Sequence, residues 1–200
     1  NEAGLKETLA LVEDEKGEVD ALVVDAGAEQ DVKELVAHAA ALYNGLDVMF
    51  ANAGISGGWT SLLEHTAESF AEILRVNLIG PFLAIKHGAP HMIAQRRGSI
   101  VCTASVAGIR ANAGGVPYSA SKAGVISLVQ TSANAFIGTG VRVNAICPGL
   151  IETGMTRPIF ETARAKGTDG KIGQLNPLLR AGRPEEIAAM ALFLASDEAS

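Results

Sequence analysis

Short apolar segments alternate with longer amphipathic segments along most of this sequence, and this alternation is the strongest constraint on its fold. Four runs of β-branched and apolar residues, each bounded by turn-forming residues, are typical of buried parallel strands. They occupy residues 22–25, 47–51, 99–105 and 142–147. Helical patterns occupy residues 30–43, 66–92, 118–137 and 184–195. The order predicts an α/β fold with a doubly wound parallel sheet and helices on both faces.

The carboxyl ends of the strands are where ligands bind in a sheet of this kind, so functional residues are expected just after each strand. Residues 153–179 interrupt the alternation, because they are rich in Gly, Pro and charge, show no strand pattern and are long for a simple connection. We expect this segment to be a lid that covers a substrate. Trp59 lies in another loop, where it would line the substrate mouth or pack as a surface aromatic.

Composition excludes several classes of function. The length of 200 residues suits one domain. A net charge of −6 and a pI of about 5.2 give no concentrated basic surface for nucleic acid. No apolar run approaches the roughly 20 residues that span a bilayer, so we expect a soluble protein. Cys102 and Cys147 are interpreted as core thiols of a cytoplasmic protein. The histidines form no metal-binding pattern with a carboxylate, so no metal is predicted.

A tyrosine and a lysine four residues apart are the main candidates for catalysis. Tyr118 and Lys122 open a predicted helix behind Pro117, so the phenol and the ammonium lie on one helix face. A phenol is a poor base at its usual pKa of about 10, and a nearby cation would bring that pKa toward neutral pH. Lys122 would supply this charge. The alternative is that the Tyr118 ring packs at the helix start while Lys122 faces solvent.

A serine at the end of a predicted strand lies thirteen residues before Tyr118. The hydroxyl of Ser105 can point at a bound carbonyl and stabilise the charge that develops on its oxygen. Taken alone, Ser105 could equally cap the turn that follows the strand. Its spacing from Tyr118 favours the catalytic interpretation.

Together with these three residues, two further motifs closely resemble the classical short-chain dehydrogenases/reductases over nearly the whole chain. They are Asn52-Ala53-Gly54 and the Arg-Val-Asn-Leu-Ile-Gly sequence at 75–80. The resemblance implies a Rossmann-like fold and an enzyme that transfers a hydride between NAD or NADP and an alcohol or ketone of a small molecule. It also implies that Asn77 completes a catalytic tetrad by holding a water in a proton relay to Lys122. The alternative is that Asn77 is a polar residue at a helix bend.

The resemblance also assigns residues to the coenzyme. The segment after the last predicted strand resembles the family's nicotinamide-contacting loop, in which the Ile151 backbone and the Thr153 hydroxyl hold the carboxamide and Gly149 permits close approach. Asp25 matches the adenine-contacting aspartate, although it could instead cap the next element. Lys122 would hold the nicotinamide ribose. The full set of predicted contacts is Asp25, Ala26, Asn52, Ala53, Gly54, Tyr118, Lys122, Pro148, Gly149, Ile151 and Thr153.

The family's glycine-rich pyrophosphate motif is absent from these residues, and the glycines of 108–115 do not replace it. We therefore expect about 40 residues before Asn1, carrying two strands, and a short closing strand after Ser200. The residue that distinguishes NAD from NADP would lie before Asn1, and the acidic first segment favours NAD. Without those two strands, the strand at 22–25 would stand about 14 Å from its neighbour and lose its order.

Two further expectations rest on the resemblance. The long helices that begin at Thr66 and Tyr118 are expected to pair through apolar outer faces in a homotetramer. A catalytically idle, nucleotide-sensing regulator is the alternative to an oxidoreductase, but such a protein would usually have lost Tyr118 or Lys122. An epimerase or dehydratase on an extended version of this fold would need a larger C-terminal domain than the residues after Pro148 provide.

Overall fold

The computed structural model describes residues 2–12, 18–58, 60–174 and 176–200, so Trp59 lies outside the described residues. The helices are α1 Glu2–Val12, α2 Glu29–Leu42, α3 Ala67–Leu74, α4 Gly80–Gln95, α5 Val116–Ala135, α6 Arg157–Ala165 and α7 Pro184–Ala195. The strands are β1 Val48–Ala51, β2 Gly98–Thr103 and β3 Val141–Ile146. Short 3-10 turns occupy Leu62–Glu64, Val106–Gly108, Asp169–Lys171 and Asp197–Ala199. None of these described helices is long and apolar enough to cross a membrane.

The three strands form one parallel sheet in the order β1-β2-β3. Val48 pairs with Ser99 and Gly98 pairs with Val141, and both ladders continue to the carboxyl ends of the strands. Parallel neighbours need a crossover connection, which α3 and α4 provide between β1 and β2, and α5 provides between β2 and β3. The predicted α/β class and three of the four predicted strands are confirmed.

Residues 22–25 do not form the predicted strand. Residues 18–25 are irregular, and a turn at 26–27 leads into α2. In the part of the chain that the structure describes, no strand lies beside this segment, so its backbone has no ladder partner. Leu22 and Val23 are exposed rather than buried. An apolar strand needs neighbours to bury its side chains, and here the described sheet ends at β1.

The long helix predicted at 66–92 is interrupted by the π-helix Arg75–Ile79 between α3 and α4. Pro81 accounts for the interruption. It has no N–H, so the carbonyl of Asn77, four residues earlier, loses its usual α-helical donor. The wider π-turn keeps the chain helical at this point, and such turns are frequent at functional sites.

One face of the sheet carries the main core. Alternate strand residues face α4 and α5, among them Met49, Ile100 and Val143. The buried helix residues that meet them are Ile85, Ala89, Met92, Val125 and Val129. This packing fixes α5, the helix that carries the tyrosine and lysine, against the sheet.

The opposite face is covered by α7 at β2 and β3. Ser99 Oγ donates a 2.7 Å hydrogen bond to the Leu194 carbonyl. Arg142 donates to the carbonyls of Leu194 and Ser196 at 3.0 and 2.9 Å. On the same face of β1, Val48 and Phe50 remain 41% and 42% exposed. The helix therefore covers two of the three described strands.

The two cysteines occupy different environments. Cys102 is fully buried in β2, and burial raises the pKa of its thiol to about 12, so its interpretation as a core thiol is confirmed. Cys147 follows the last residue of β3 and is exposed. The interpretation of Cys147 as a core thiol is wrong, because the chain leaves the sheet at this residue.

Candidate active site

Tyr118 and Lys122 lie in the first turns of α5. Pro117 is in the same turn, where its missing N–H costs no helical hydrogen bond. Lys122 is only 3% exposed, and its Nζ donates a 2.7 Å hydrogen bond to the carbonyl of Thr103, the last residue of β2. The same Nζ lies 5.6 Å from the centre of the Tyr118 ring. The alternative of a solvent-facing Lys122 is therefore wrong.

Ser105 follows β2 and faces Tyr118. It is 7% exposed, and its Oγ accepts a 3.1 Å hydrogen bond from the Ala107 N–H, so it caps the short turn Val106–Gly108. The Ser105 side chain also lies close enough to the Tyr118 phenol for hydrogen bonding to lower the phenol's pKa. The serine therefore stabilises the turn and at the same time holds a hydroxyl beside the phenol.

Two glycines bring the loop after β2 against α5. A Cβ at Gly108 would lie 2.7 Å from the backbone nitrogen of Ala123, and a Cβ at Gly114 would lie 2.8 Å from Cδ1 of Tyr118. Neither position accepts a side chain without displacing the helix backbone or the ring. Neither glycine is predicted as a site residue from the sequence. In the structure they permit the close approach of the Ser105 loop to Tyr118.

Asn77 lies in the π-helix and is fully buried. Its Oδ1 accepts a 2.8 Å hydrogen bond from the Ile55 N–H, while Nδ2 donates to the Ile55 carbonyl at 2.9 Å and to Ser121 Oγ at 3.2 Å. Gly54 lies against the same group, since a Cβ there would be 3.2 Å from Oδ1 of Asn77 and 3.5 Å from Nζ of Lys122. The structure therefore brings all four predicted catalytic residues together.

Ser121 and Thr103 are site residues that the sequence did not reveal. Ser121 is fully buried, and its Oγ donates a 2.7 Å hydrogen bond to the Tyr118 carbonyl while it accepts from Asn77. Thr103 offers its carbonyl to Lys122, and its hydroxyl donates to Oδ1 of Asn52 at 2.8 Å. Their positions beside Lys122 and near a strand end were visible in the sequence, but their bonding partners depend on the tertiary packing.

Burial shifts the two titrating groups in opposite directions. It lowers the pKa of the Lys122 ammonium to about 8, opposed by the nearby Cys102. It raises the pKa of the Tyr118 phenol, an effect that the hydrogen bond with Ser105 opposes. The predicted lowering of the Tyr118 pKa by Lys122 is therefore wrong. The ammonium is bonded to the Thr103 carbonyl and lies 5.6 Å from the ring centre, and in this arrangement it does not outweigh the effect of burial on the phenol.

The lowered pKa of Lys122 predicts a dependence of stability on pH. Between pH values of about 8 and 10.5, the unfolded chain holds a proton on this lysine that the folded chain has lost. Stability rises with pH wherever the unfolded state binds more protons, so this group stabilises the folded state increasingly across that window. Relative to Lys122→Met, the free energy of unfolding of the wild type should rise by up to about 3 kcal/mol.

Urea titrations of both proteins at several pH values measure this difference. Subtracting the variant removes the contributions of other groups, among them Cys102, whose raised pKa has the opposite effect. A difference that stayed constant between neutral pH and pH about 10.5 would show that Lys122 titrates normally.

The predicted adenosine contacts lie in two loops. Asn52 follows β1 with its Oδ1 bonded to Thr103, Ala53 is exposed and Gly54 is half-buried. The Asp25 carboxylate accepts from the Gly27 N–H at 2.8 Å and pairs with Arg75 at 2.8 Å, and these contacts, Arg75 first, lower its pKa. Asp25 does not cap α2, whose N-cap position is occupied by Ala28. The neighbouring Ala26 is partly buried in the same turn.

The predicted nicotinamide-contacting residues form a bonded loop after β3. The Pro148 carbonyl accepts a 2.9 Å hydrogen bond from the loop after β2. The Thr153 N–H donates to Oγ1 of Thr156 at 2.9 Å, and this hydroxyl donates to the Ile151 carbonyl at 2.5 Å. Around Gly149, the nearest atom to a Cβ position is 3.9 Å away. The loop is therefore shaped by its own hydrogen bonds and is open above the glycine.

A nicotinamide dinucleotide fits the groups that are present. Lys122 has three N–H donors, and the structure describes one bond, to Thr103, so two donors can reach sugar hydroxyls. Gly149 presents backbone without a side chain where a ligand would approach. The ionised Asp25 retains acceptor capacity beside its bonds to Gly27 and Arg75.

The sequence and the fold of this chain are similar to those of known reductases and dehydrogenases. A family model described as enoyl-(acyl carrier protein) reductase matches residues 1–200. The 3-oxoacyl-(acyl-carrier-protein) reductase FabG of Thermotoga maritima is 42% identical over 184 residues, which are 92% of this chain and 72% of that protein.

Two solved structures resemble the fold over the whole chain. Levodione reductase superposes with a TM-score of 0.92 at 34% identity, covering 100% of this chain and 79% of that chain. An NAD⁺-bound xylitol dehydrogenase superposes with a TM-score of 0.91 at 28% identity, covering 100% of this chain and 81% of that one. The similarity therefore extends through every segment that contributes to the site.

Proposed function

The chain belongs to the short-chain dehydrogenase/reductase family of NAD(P)-dependent oxidoreductases, and on that premise we propose that Asn77, Ser105, Tyr118 and Lys122 are its catalytic residues. They would act in hydride exchange between the coenzyme and an alcohol or carbonyl group of a small molecule. The main supporting observation is that these four residues, which come from three separate segments, lie close together beside the carboxyl end of β2. Ligands bind at this edge of a parallel sheet.

Tyr118 would move the proton. Its raised pKa keeps the phenol protonated at neutral pH, so it can give a proton to a carbonyl oxygen during reduction. In the reverse direction, the phenolate that this transfer leaves would accept the proton of the alcohol. Ser105, beside it, would donate a hydrogen bond to the same oxygen as charge develops there. The nicotinamide, when bound, supplies or accepts the hydride. Lys122 would then stabilise the phenolate, because its ammonium is largely protonated below its pKa of about 8.

Asn77 would link Lys122 to solvent through its backbone. Its side-chain amide is fully engaged with Ile55 and Ser121, so the side chain serves to fix the π-helix. Its carbonyl lacks the usual donor because Pro81 has no N–H, which leaves an acceptor for a bridging water. The water of the proton relay would therefore bind the Asn77 carbonyl.

The names of similar proteins support a choice among the possible coenzymes and substrates. NAD is the coenzyme we propose, supported by the acidic first segment and by the NAD⁺-bound xylitol dehydrogenase. For the substrate we propose a secondary alcohol or ketone, since the relatives' names include a 3-oxoacyl reductase and the reductase of levodione.

We also propose that residues 153–179, which contain α6, form the lid over this substrate. Phe160 anchors α6 by burial, and Arg164 pairs with Glu152 at 2.5 Å.

A turnover assay tests the proposed function. Purified protein is mixed with NADH or NADPH and a panel of carbonyl compounds, including cyclic ketones and 3-oxoacyl thioesters, and oxidation of the coenzyme is followed. We expect turnover with at least one ketone and a preference for NADH. Tight coenzyme binding without turnover on any member would instead support a nucleotide-sensing regulator.

We propose that the protein is a homotetramer. Ile79, Phe82 and Ile93, along the π-helix and α4, are 45%, 44% and 37% exposed, which supports an apolar contact face on this part of the chain. Light scattering is expected to give four times the mass of one chain. A monomer mass at micromolar concentration would contradict the prediction.

We also propose a cytoplasmic location. Cys147 is an exposed free thiol, and such thiols are kept reduced in the cytoplasm. Expression with a fluorescent fusion partner would test this location.

A further inference from the structure

The turn formed by Asp25, Ala26 and Gly27 holds the π-helix Arg75–Ile79 at both of its ends. At the first end, the Asp25 carboxylate pairs with the Arg75 guanidinium at 2.8 Å. At the other end, Gly80 follows the last π-helical residue, and a Cβ there would lie 2.9 Å from the Ala26 carbonyl oxygen. One short turn therefore touches the π-helix before and after Asn77.

Arg75 is fixed by two acidic partners. Its Nε and Nη2 donate to the two carboxylate oxygens of Glu72 at 2.7 and 2.9 Å, while Nη1 reaches Asp25. A Cβ at Gly27 would collide with the guanidinium and lie 3.1 Å from the Arg75 carbonyl oxygen. The glycine therefore provides the space in which the side chain and the backbone of Arg75 rest on the turn.

The ion pairs of Arg75 with Asp25 and Glu72 are too exposed to contribute much to the stability of the fold. Arg75, Asp25 and Glu72 have side chains that are 35%, 47% and 52% exposed, and ion pairs at such exposure add little to stability. The bidentate geometry instead fixes position, because two parallel hydrogen bonds allow the guanidinium one orientation on α3.

Asn77 is two residues from Arg75. The backbone amide of Ile55 reports the orientation of the Asn77 side chain. Oδ1 of Asn77 accepts from the Ile55 N–H, so any rotation of the π-helix changes this bond. Asn77 and Arg75 share the five-residue π-helix, which offers a continuous structural path from one residue to the other.

We propose that Arg75 is a positioning residue that couples occupancy of the Asp25–Gly27 turn by the adenosine part of the coenzyme to the orientation of Asn77. The inference rests on the proposed function in taking this turn as an adenosine contact. Binding at the turn would restrict Asp25 and Ala26, and through Arg75 and Gly80 it would restrict the π-helix. The catalytic asparagine would then be held in place when the coenzyme is bound.

Hydrogen exchange of the Ile55 amide in the full-length protein tests the coupling without any turnover. The probe is ADP, which contains the adenosine part and no nicotinamide, at a concentration shown by calorimetry to saturate each protein. In the wild type, ADP is expected to slow Ile55 exchange about tenfold. In Arg75→Met, saturating ADP should slow it by less than about twofold, and Arg75→Lys should restore part of the effect.

Lys86→Met is the matched control. Lys86 forms an ion pair with Glu29 between α4 and α2, so this variant also removes one cation from a helix-to-helix contact, away from Asn77. It should keep the full effect of ADP on Ile55. Slowing that persists in Arg75→Met would overturn the proposal, because the protection would then reach Ile55 directly through residues 52–54.

Steady-state kinetics separate this inference from the proposed function. With saturating coenzyme, Arg75→Met is expected to lower kcat about tenfold, in addition to raising the KM for coenzyme. A rise in KM alone would reduce Arg75 to a support of Asp25 and overturn the coupling. If the wild type turns over substrate but ADP does not slow exchange of the Ile55 amide, the coupling is wrong and the proposed function stands. An effect of ADP on Ile55 that requires Arg75, in a protein without turnover, would overturn the proposed function alone.

Discussion

Tyr118→Phe is expected to lower kcat by about 10²- to 10⁴-fold, because it removes only the hydroxyl that exchanges a proton with the substrate oxygen. The ring would remain packed beside Gly114 and under the Lys122 ammonium, so folding and coenzyme binding should be preserved. Initial rates with a saturating ketone, together with coenzyme titration followed by fluorescence, measure both effects.

Tyr43→Phe is the control for this substitution. Tyr43 is the other tyrosine of the sequence, and its hydroxyl donates a 3.0 Å hydrogen bond to the Glu18 carbonyl on an exposed part of the chain. Its removal should leave kcat unchanged. Nearly normal turnover in Tyr118→Phe would rule out the phenol as the acid or base.

Lys122→Met is expected to impair both turnover and coenzyme affinity. Methionine keeps most of the volume of the buried side chain but loses the ammonium that would stabilise the phenolate, so kcat should fall by at least about 10²-fold. The two donors not used by Thr103 would also be lost. Because hydrogen bonds to a charged group contribute about 1.5–3 kcal/mol each, the dissociation constant of the coenzyme should rise by at least about tenfold.

Lys86→Met, on the neighbouring helix α4, should change neither quantity, since Lys86 pairs with Glu29 at 46% side-chain exposure. Coenzyme affinity that survived in Lys122→Met would mean that the ammonium does not contact the coenzyme. Lost affinity with normal kcat would restrict Lys122 to binding.

Sequence periodicity predicted the sheet well where neighbouring strands bury the segment. The apolar runs before Asn52 and around Ile100 and Val143 are strands because each has a partner to complete its ladder. The run at 22–25 has the same composition, but no strand lies beside it in the described residues. A strand forms only beside a neighbouring strand, so the residue pattern of this segment alone could not show whether it forms one. The helix α1 was also missed, and none of its residues is buried.

The candidate site was predictable as a set of residues but not as a set of contacts. The spacing of Ser105, Tyr118 and Lys122 is visible in the sequence, and the structure brings them together. The predicted direction of the Tyr118 pKa shift was wrong, because the shift depends on burial and on where the Lys122 ammonium points. The contact between Asp25 and Arg75 joins residues fifty positions apart, and no local pattern could reveal it.

Transfer of deuterium from the coenzyme to a carbonyl compound shows whether this protein catalyses hydride transfer. Reduced coenzyme labelled with deuterium at the transferable position is incubated with the protein and a ketone substrate, and the product alcohol is analysed by mass spectrometry. We expect deuterium on the carbinol carbon of the product, formed at least about 10²-fold more slowly by Tyr118→Phe. A protein that binds the coenzyme but transfers no deuterium to any carbonyl of the panel would not be the proposed oxidoreductase. A Tyr118→Phe variant that transfers deuterium at the normal rate would show that the phenol is not the acid or base.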